Sequence, residues 1–322
     1  MKIIGTGSAL PSLTVTNRML TEFLDTSDEW ITTRTGIRQR QILSDEKLED
    51  LATKAAVQAL ENAHLQAKDL DFIICSNVIN EYVTPAMSCI VQGKIGASCP
   101  CIDLNGACAG FIYALDIAEA YFAKGAVNHV LVLCAEEPTR MVDWSERSTC
   151  VLFGDGAGAV VLSRGDNIKA IRVSTQSKSE SLYEQRTLFR TPFEKNTPSN
   201  EALYADTALV MNGQDVFKMA VTASVNDINY VLDKGSLTCD EVDHYLLHQA
   251  NVRIIESVRQ YLKQDANKFP KNIDRCGNTS SASIPILLDE LNREKALKTG
   301  DKIVLSAFGA GFTTGACLLY WS

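Results

Sequence analysis

Four histidines in 322 residues leave little from which to build a metal centre. Only His244 and His248 stand close together, no C-x-x-C pair occurs, and Cys99 and Cys101 have a spacing that fits no common zinc site. No metal ligand is expected. No run reaches the ~18 consecutive apolar residues of a membrane span. The opening segment has one lysine and a short apolar run broken by Gly5, Gly7 and Pro11, too short and interrupted for a secretion signal. Basic residues are outnumbered, 31 against 39 carboxylates for a net charge of −8, which argues against a general nucleic-acid binder. The 10 cysteines are scattered through a chain long enough to bury a large core without disulfides, so they read as reduced thiols of a cytoplasmic protein.

The most informative stretch is Asp103-Leu104-Asn105-Gly106-Ala107-Cys108-Ala109-Gly110-Phe111. A short apolar segment runs into small residues and then into a helical pattern at Phe111, Ala114, Leu115, Ala118, Tyr121 and Phe122. Cys108 is thereby placed at a helix start, where free N–H groups and the positive end of the helix dipole favour a thiolate. Such settings lower a thiol pKa from roughly 8.5 to about 3.5–7.5. The other reading, a buried cysteine in a small-residue turn, stays open at this point.

Strands are predicted at 2–7, 71–76, 130–134, 241–247, 302–307 and 316–320, and helices at 17–24, 46–65, 85–95, 213–232, 251–262 and 278–292, the last with Pro285 inside it as a kink. Residues 150–162 read as strand, glycine turn and strand, a hairpin. Their Gly-x-Gly-x-Gly spacing has no helix pattern after it, so the glycines are taken as structural. Trp30 lies beside Arg34, Arg38 and Arg40, which is either a phosphate and ring site or a solvated loop. Residues 174–207 are polar and aperiodic, an excursion over the surface with a lid as one reading.

The second half echoes the first. Strands at 71–76 and 242–247, helix starts at Cys108 and near Asn278, and strands at 130–134 and 303–307 recur at an offset of roughly 170 residues. Two α/β halves, 1–170 carrying Cys108 and 171–322 carrying His248 and Asn278, are expected to stack as alternating helix and mixed-sheet layers. The two helix starts would then face each other, with Cys108 and Asn278 on them. His248 follows a buried strand, and Gly309 to Gly311 offer backbone N–H groups near Cys108. A thiol, an imidazole, an amide and an N–H pair suit thioester acyl transfer.

Gly5-Thr6-Gly7, Thr33-Arg34-Thr35-Gly36-Ile37-Arg38, Phe153-Gly154-Asp155-Gly156-Ala157-Gly158-Ala159, His248-Gln249-Ala250-Asn251-Val252-Arg253 and Gly277-Asn278-Thr279-Ser280 join the stretches around Trp30 and Cys108 in one pattern. The chain resembles the β-ketoacyl-acyl-carrier-protein synthases III, condensing enzymes of thiolase-like fold, over nearly its whole length. The resemblance implies a Cys108–His248–Asn278 active site that takes an acyl group from acyl-CoA onto Cys108. Malonyl-acyl carrier protein would then be decarboxylated and condensed, to initiate fatty acid synthesis. The N–H groups of Cys108 and Ala310 would hold the oxyanion; the family usually has glycine where Ala310 stands.

The resemblance further implies that Trp30 and Arg147 sandwich the adenine of CoA with Thr26 and Arg34 nearby. Gly213, Phe217, Ala250 and Asn251 would line the pantetheine channel, and Lys218 and Arg253 would meet an acidic carrier protein. Thr84 and Phe153 are assigned to the acyl pocket, Thr84 by way of a loop that crosses the interface of a homodimer. Thr84 replaces a phenylalanine of the best-known straight-chain enzymes, which would admit a longer or branched primer. Acyl-CoA is substrate and no cofactor is implied. Three other readings are a specialised ketosynthase of secondary metabolism (alkylquinolone or long-chain ketone type), a thiol hydrolase, and a non-catalytic carrier-protein partner. An alanine follows the cysteine where such hydrolases have an aromatic, and all three active-site residues are present.

Overall fold

The computed structural model describes residues 1–185, 188–189, 202–204 and 208–322. The first half contains β1 (Lys2–Ala9), β2 (Leu13–Thr16), α1 (Asn17–Leu20), α2 (Asp28–Thr35), β3 (Gln39–Ile42), α3 (Leu48–Asn62), β4 (Phe72–Ser76), α4 (Met87–Ile95), β5 (Cys101–Leu104), α5 (Gly110–Ala123), β6 (His129–Glu136) and β7 (Gly156–Ser163). The second contains β8 (Ile168–Thr175), the short strands β9 (Leu182–Tyr183), β10 (Leu188–Phe189), β11 (Ala202–Tyr204) and β12 (Val210–Met211), then α6 (Gly213–Lys234), β13 (His244–Leu247), α7 (Val252–Leu262), α8 (Ile273–Cys276), α9 (Ser283–Arg293), β14 (Lys302–Gly309) and β15 (Thr313–Tyr320).

Two mixed sheets carry the fold, one in the order β1-β7-β6-β4-β5 and the other β13-β14-β15-β8. In each, parallel pairs (β4 with β5 and β6; β13 with β14) adjoin antiparallel ones (β7 with β6 and β1; β15 with β14 and β8). The strand residues Ile74, Val132 and Leu162 of the first sheet and Leu246, Leu305 and Cys317 of the second share one core with α5 and α9, which therefore form the middle layer. Helices α3 and α4 cover the outside of the first sheet and α6 and α7 the outside of the second. The result is helix, sheet, helix, sheet, helix. The division drawn at residue 170 falls inside β8, whose pairing with β15 places the whole strand in the second sheet.

The long outer helix α3 forms because its apolar residues recur at three and four. Leu48, Leu51, Ala52, Ala55, Ala56, Ala59 and Leu60 are buried and the opposite face is polar. Each leucine contributes about 1.5–3 kcal/mol of burial. The alanines let the helix lie close on β1.

Two local expectations are corrected. Residues 150–162 are no hairpin: β7 begins at Gly156, pairs with β6 and β1, and Phe153 makes only an isolated bridge to Asn278. Gly156 and Gly158 stand within the strand, because α9 presses on it: a Cβ at Gly158 would lie 2.9 Å from the backbone nitrogen of Ile286 and from Pro285. Pro285 in turn does not kink a helix. Helix α9 starts at Ser283, so Pro285 sits in its first turn, where no intrahelical N–H bond is owed. In the 174–207 stretch β9 pairs with β12 and β10 with β11. Residues 186–187, 190–201 and 205–207, and with them the reading of a lid, lie outside the described residues.

Candidate active site

Strand β5 ends at Leu104, and the chain turns through Ala107–Ala109, a single 3-10 turn, before α5. Asn105 shapes it: its Oδ1 accepts the N–H of Ala107 at 3.0 Å, and Ala107 takes a φ of +48°. The second half repeats this construction. Asn278 Oδ1 accepts the N–H of Ser280 at 2.9 Å, Ser280 has a φ of +52°, and the turn Ser280–Ala282 leads into α9. By this register Asn105 corresponds to Asn278 and Cys108 to Ser281. The expectation that Cys108 and Asn278 hold equivalent positions is thus corrected: they lie on equivalent turns, three residues out of step.

The same offset relates β6 to β14 and places Glu136 opposite Gly309. Ser281 donates to Glu136. Gly309 has no side chain, and an added Cβ there would lie 2.5 Å from the Cys108 backbone nitrogen and 2.9 Å from the Ala107 Cβ. The second turn faces a carboxyl; the first is backed by bare main chain. Thr313 ties the two segments by donating to Gly106 O at 2.8 Å.

Cys108, His248, Asn278, Ser280, Gly309 and Ala310 line one cavity of about 940 Å³. Ser280 donates to Cys108 Sγ at 3.4 Å. Cys108 is partly accessible from the cavity, but its sulfur is enclosed, and burial pushes the thiol up to about 12, against the pull of the Ser280 hydroxyl. The direction is opposite to the expected lowering: the desolvation cost of a thiolate outweighs the hydrogen bonds from Ser280 and the main chain. His248 lies just past β13, with its N–H on Ser306 O at 2.8 Å, its Nδ1 2.7 Å from Ser283 Oγ and its ring edge-on to Phe308. Burial pushes its imidazole down to about 3, so it is neutral at pH 7. Under the floor, Glu136 is pushed up to about 8 by burial; it accepts from Ser281 and from the N–H of Val78.

Toward the mouth, Trp30, Arg34, Gly213 and Phe217 line the same cavity, and so do Ala250, Asn251, Arg253 and, deeper, Phe153. Ser27 caps α2 by accepting from Trp30 N–H, which fixes the indole at the rim. Both guanidiniums flank that indole, Arg34 at 4.8 Å and Arg147 at 5.1 Å from the ring centroid. An interleaved base needs about 7 Å, twice a van der Waals contact. Trp30 and Arg147 therefore close on each other rather than leaving a slot. Arg147 also donates to the Asp25 backbone oxygen. Asn251 is engaged at both ends of its carboxamide, capping α7 through Arg253 N–H and donating to Arg34 O at 3.1 Å. Its expected contact with pantetheine meets a side chain already committed to structure.

Thr26, Arg147, Lys218 and Thr84 are not among the residues lining the cavity. Thr26 keeps a buried hydroxyl without a partner near the rim. Lys218 is exposed on α6, and Thr84 is exposed in the loop before α4. Ser280, Ser283 and Glu136 were not singled out as site residues from sequence; the repeat, aligned on Asn105 and Asn278, carries the signal that finds them. Among the described residues no group of three His, Cys, Asp or Glu side chains is placed to hold a metal ion, and no helix is long and apolar enough to cross a membrane.

A duplicated, layered α/β fold with Cys, His and Asn around one cavity defines a thiolase-like condensing enzyme, an acyltransferase. Residues 102–180 match the family model described as 3-oxoacyl-[acyl-carrier-protein (ACP)] synthase III, and residues 232–321 match the model of its C-terminal part. The β-ketoacyl-[acyl-carrier-protein] synthase III of Clostridium acetobutylicum is 41% identical over 100% of this chain and 99% of its own. The crystal structure of the Aquifex aeolicus 3-oxoacyl-[acyl-carrier-protein] synthase III superposes with a TM-score of 0.90 at 41% identity, covering 99% of both chains. That of the Thermus thermophilus β-ketoacyl-[acyl-carrier-protein] synthase III gives 0.91 at 35% identity, covering 100% of this chain and 99% of the other. The chain belongs to the β-ketoacyl-acyl-carrier-protein synthase III family.

Proposed function

We propose that this protein condenses an acyl-CoA primer with malonyl-acyl carrier protein to give a 3-oxoacyl-acyl carrier protein, the first condensation of fatty acid synthesis. The observation that carries it is the meeting of Cys108, His248 and Asn278 in a single cavity whose mouth holds Trp30, Arg34 and Arg253. Acylation is a thiol exchange: the Cys108 sulfur attacks the thioester, the acyl group moves onto it, and the Cys108 proton leaves with the CoA sulfur. Malonyl thioester then loses carbon dioxide. Neutral His248 and the Asn278 amide nitrogen donate to its carbonyl oxygen as that becomes an enolate, the place where charge develops. The enolate carbon attacks the acyl-Cys108 carbonyl, whose oxyanion is held by the N–H groups of Cys108 and Ala310. Collapse expels the sulfur as a thiolate, which takes a proton from solvent to restore the thiol; its raised pKa favours that protonation.

Thr26, Trp30, Arg34 and Arg147 are assigned to the nucleotide of CoA, with Arg147 swinging off the indole to admit the base. Gly213, Phe217, Ala250 and Asn251 flank the pantetheine arm, and Lys218 and Arg253 form the basic face for the carrier protein. No cofactor takes part, and the protein works in the cytoplasm as a homodimer. The edge strand β5 supports the dimer: Ile102 is 49% exposed on it, and Val83 is 77% exposed in the adjoining loop. In that assembly Thr84 reaches the partner's acyl pocket, opposite Phe153, and its small side chain favours primers longer than acetyl. Intact-mass detection of the acyl group on Cys108 from acetyl-, isobutyryl- and octanoyl-CoA, followed by carbon dioxide release from malonyl-acyl carrier protein, tests the reading. No acyl adduct, or an adduct that never condenses, defeats it. Strict preference for acetyl defeats the assignment of Thr84.

A further inference from the structure

The turn that opens α9 spends its hydroxyls on the site. Ser280 donates to Cys108 and Ser281 to Glu136, while Ser283 lies 2.7 Å from His248 Nδ1. Ser283 is 2% exposed. Its Oγ also accepts the N–H of Gln249 at 3.3 Å. Gln249 is itself locked, its Nε2 donating to Leu247 O at 2.7 Å and its Oε1 accepting from Asn272 N–H at 3.3 Å. An oxygen that already receives an N–H has its own proton to give. Among the described residues its other partner is His248 Nδ1 at 2.7 Å, and donation to that nitrogen gives the hydroxyl proton an acceptor. A neutral imidazole carries one proton, so a ring that accepts at Nδ1 bears its hydrogen at Nε2. Phe308 packs edge-on against the ring, at 5.3 Å between centroids.

We propose that Ser283 is a positioning residue for the condensation: its hydroxyl, by donating to Nδ1, holds His248 in the Nε2–H tautomer that the malonyl half-reaction needs. The inference rests on the condensing activity proposed above and separates its two half-reactions. Acylation does not use the Nε2 hydrogen; the malonyl half does.

Nitrogen-15 NMR of uniformly labelled protein, with His248 assigned by a His248→Gln spectrum, reads the tautomer without turnover. The wild-type ring is expected with its proton on Nε2. Ser283→Ala is expected to show a mixture of tautomers and to lose about 10–100-fold in condensation, less than the 10²–10³ of removing a donor outright, with acylation by acyl-CoA within twofold of wild type. Ser283→Thr, which keeps the hydroxyl, is expected to restore most of the rate. A wild-type proton on Nδ1, or equal losses in both half-reactions, overturns the proposal, as does a Ser283→Ala enzyme that condenses at the normal rate. If Ser283→Ala does not fold, the wild-type spectrum decides alone. If the wild type never acylates, the functional reading fails while the tautomer measurement still stands.

Discussion

Gly309→Ala is the sharpest single test of how the nucleophile is held. Gly309 has a φ of −161°, an extended conformation open to alanine, so its backbone would not object. Space would. The new methyl would sit 2.5 Å from the Cys108 nitrogen and 2.9 Å from the Ala107 Cβ. Ordinary contact is about 3.5–4.0 Å, so the Cys108 turn or the end of β14 must retreat by about 1 Å. Overpacking of this kind costs about 1–3 kcal/mol, within a typical stability of about 5–15 kcal/mol, and the protein is expected to fold with a lowered Tm. A displacement of about 1 Å at a reacting atom costs on the order of 100-fold in rate. The assay is the rate of acyl-Cys108 formation by rapid quench and intact mass, beside a Gly93→Ala control. A Cβ at Gly93 meets nothing within 4 Å, and alanine in that helix should be neutral or add about 0.5–1 kcal/mol. Acylation of Gly309→Ala within threefold of wild type, with an unchanged Tm, would show that the nucleophile's turn does not depend on bare main chain behind it.

Trp30→Ala removes the ring flanked by Arg34 and Arg147 and is expected to raise KM for acyl-CoA about tenfold with little change in kcat; the same loss with an acyl thioester lacking the nucleotide would place Trp30 elsewhere. His248 is pushed from 6.5 down to about 3 by burial. The acid limb of carbon dioxide release should therefore show no ionisation near 6.5 from pH 7.5 to 5.5, and a tenfold fall across that range would contradict a neutral donor. The same shift withdraws stability as pH drops from 6.5 toward 3, because the unfolded imidazole protonates first. Glu136 shifts the other way in cost: its pKa rises from 4.5 to about 8, so the folded state holds a proton the unfolded state has lost, and stability falls as pH rises through that window. Denaturant melts of Glu136→Gln should gain on the wild type steadily from pH 4.5 to 8; parallel curves would mean the carboxyl is not desolvated.

The sequence made the layered fold legible because its periodicities are strong and local, as in the apolar stripe of α3 and the unbroken apolar run of β6. It brought Cys108, His248 and Asn278 together because the repeat supplies long-range placement that periodicity cannot. What failed depended on neighbours distant in sequence. Residues 150–153 looked like a strand, but β7 takes its partners from β1 and β6, which lie far from that segment. The Cys108 thiol was judged by its place at a helix start, while its ionisation is governed by enclosure from the other half. Gly156 and Gly158 read as part of a turn, and the approach of α9 to β7 explains them.

The matched turns have one more consequence. Both halves build the same cradle, an asparagine bracing a left-handed residue ahead of a buried helix, yet only one can host chemistry. Sulfur moved to position 281, which is buried, would look into the Glu136 carboxyl, an acid where an acyl chain should lie. A single side chain at the end of one strand, and its omission from the twin, thus breaks the symmetry of the ancestor and leaves each polypeptide with one working centre instead of two.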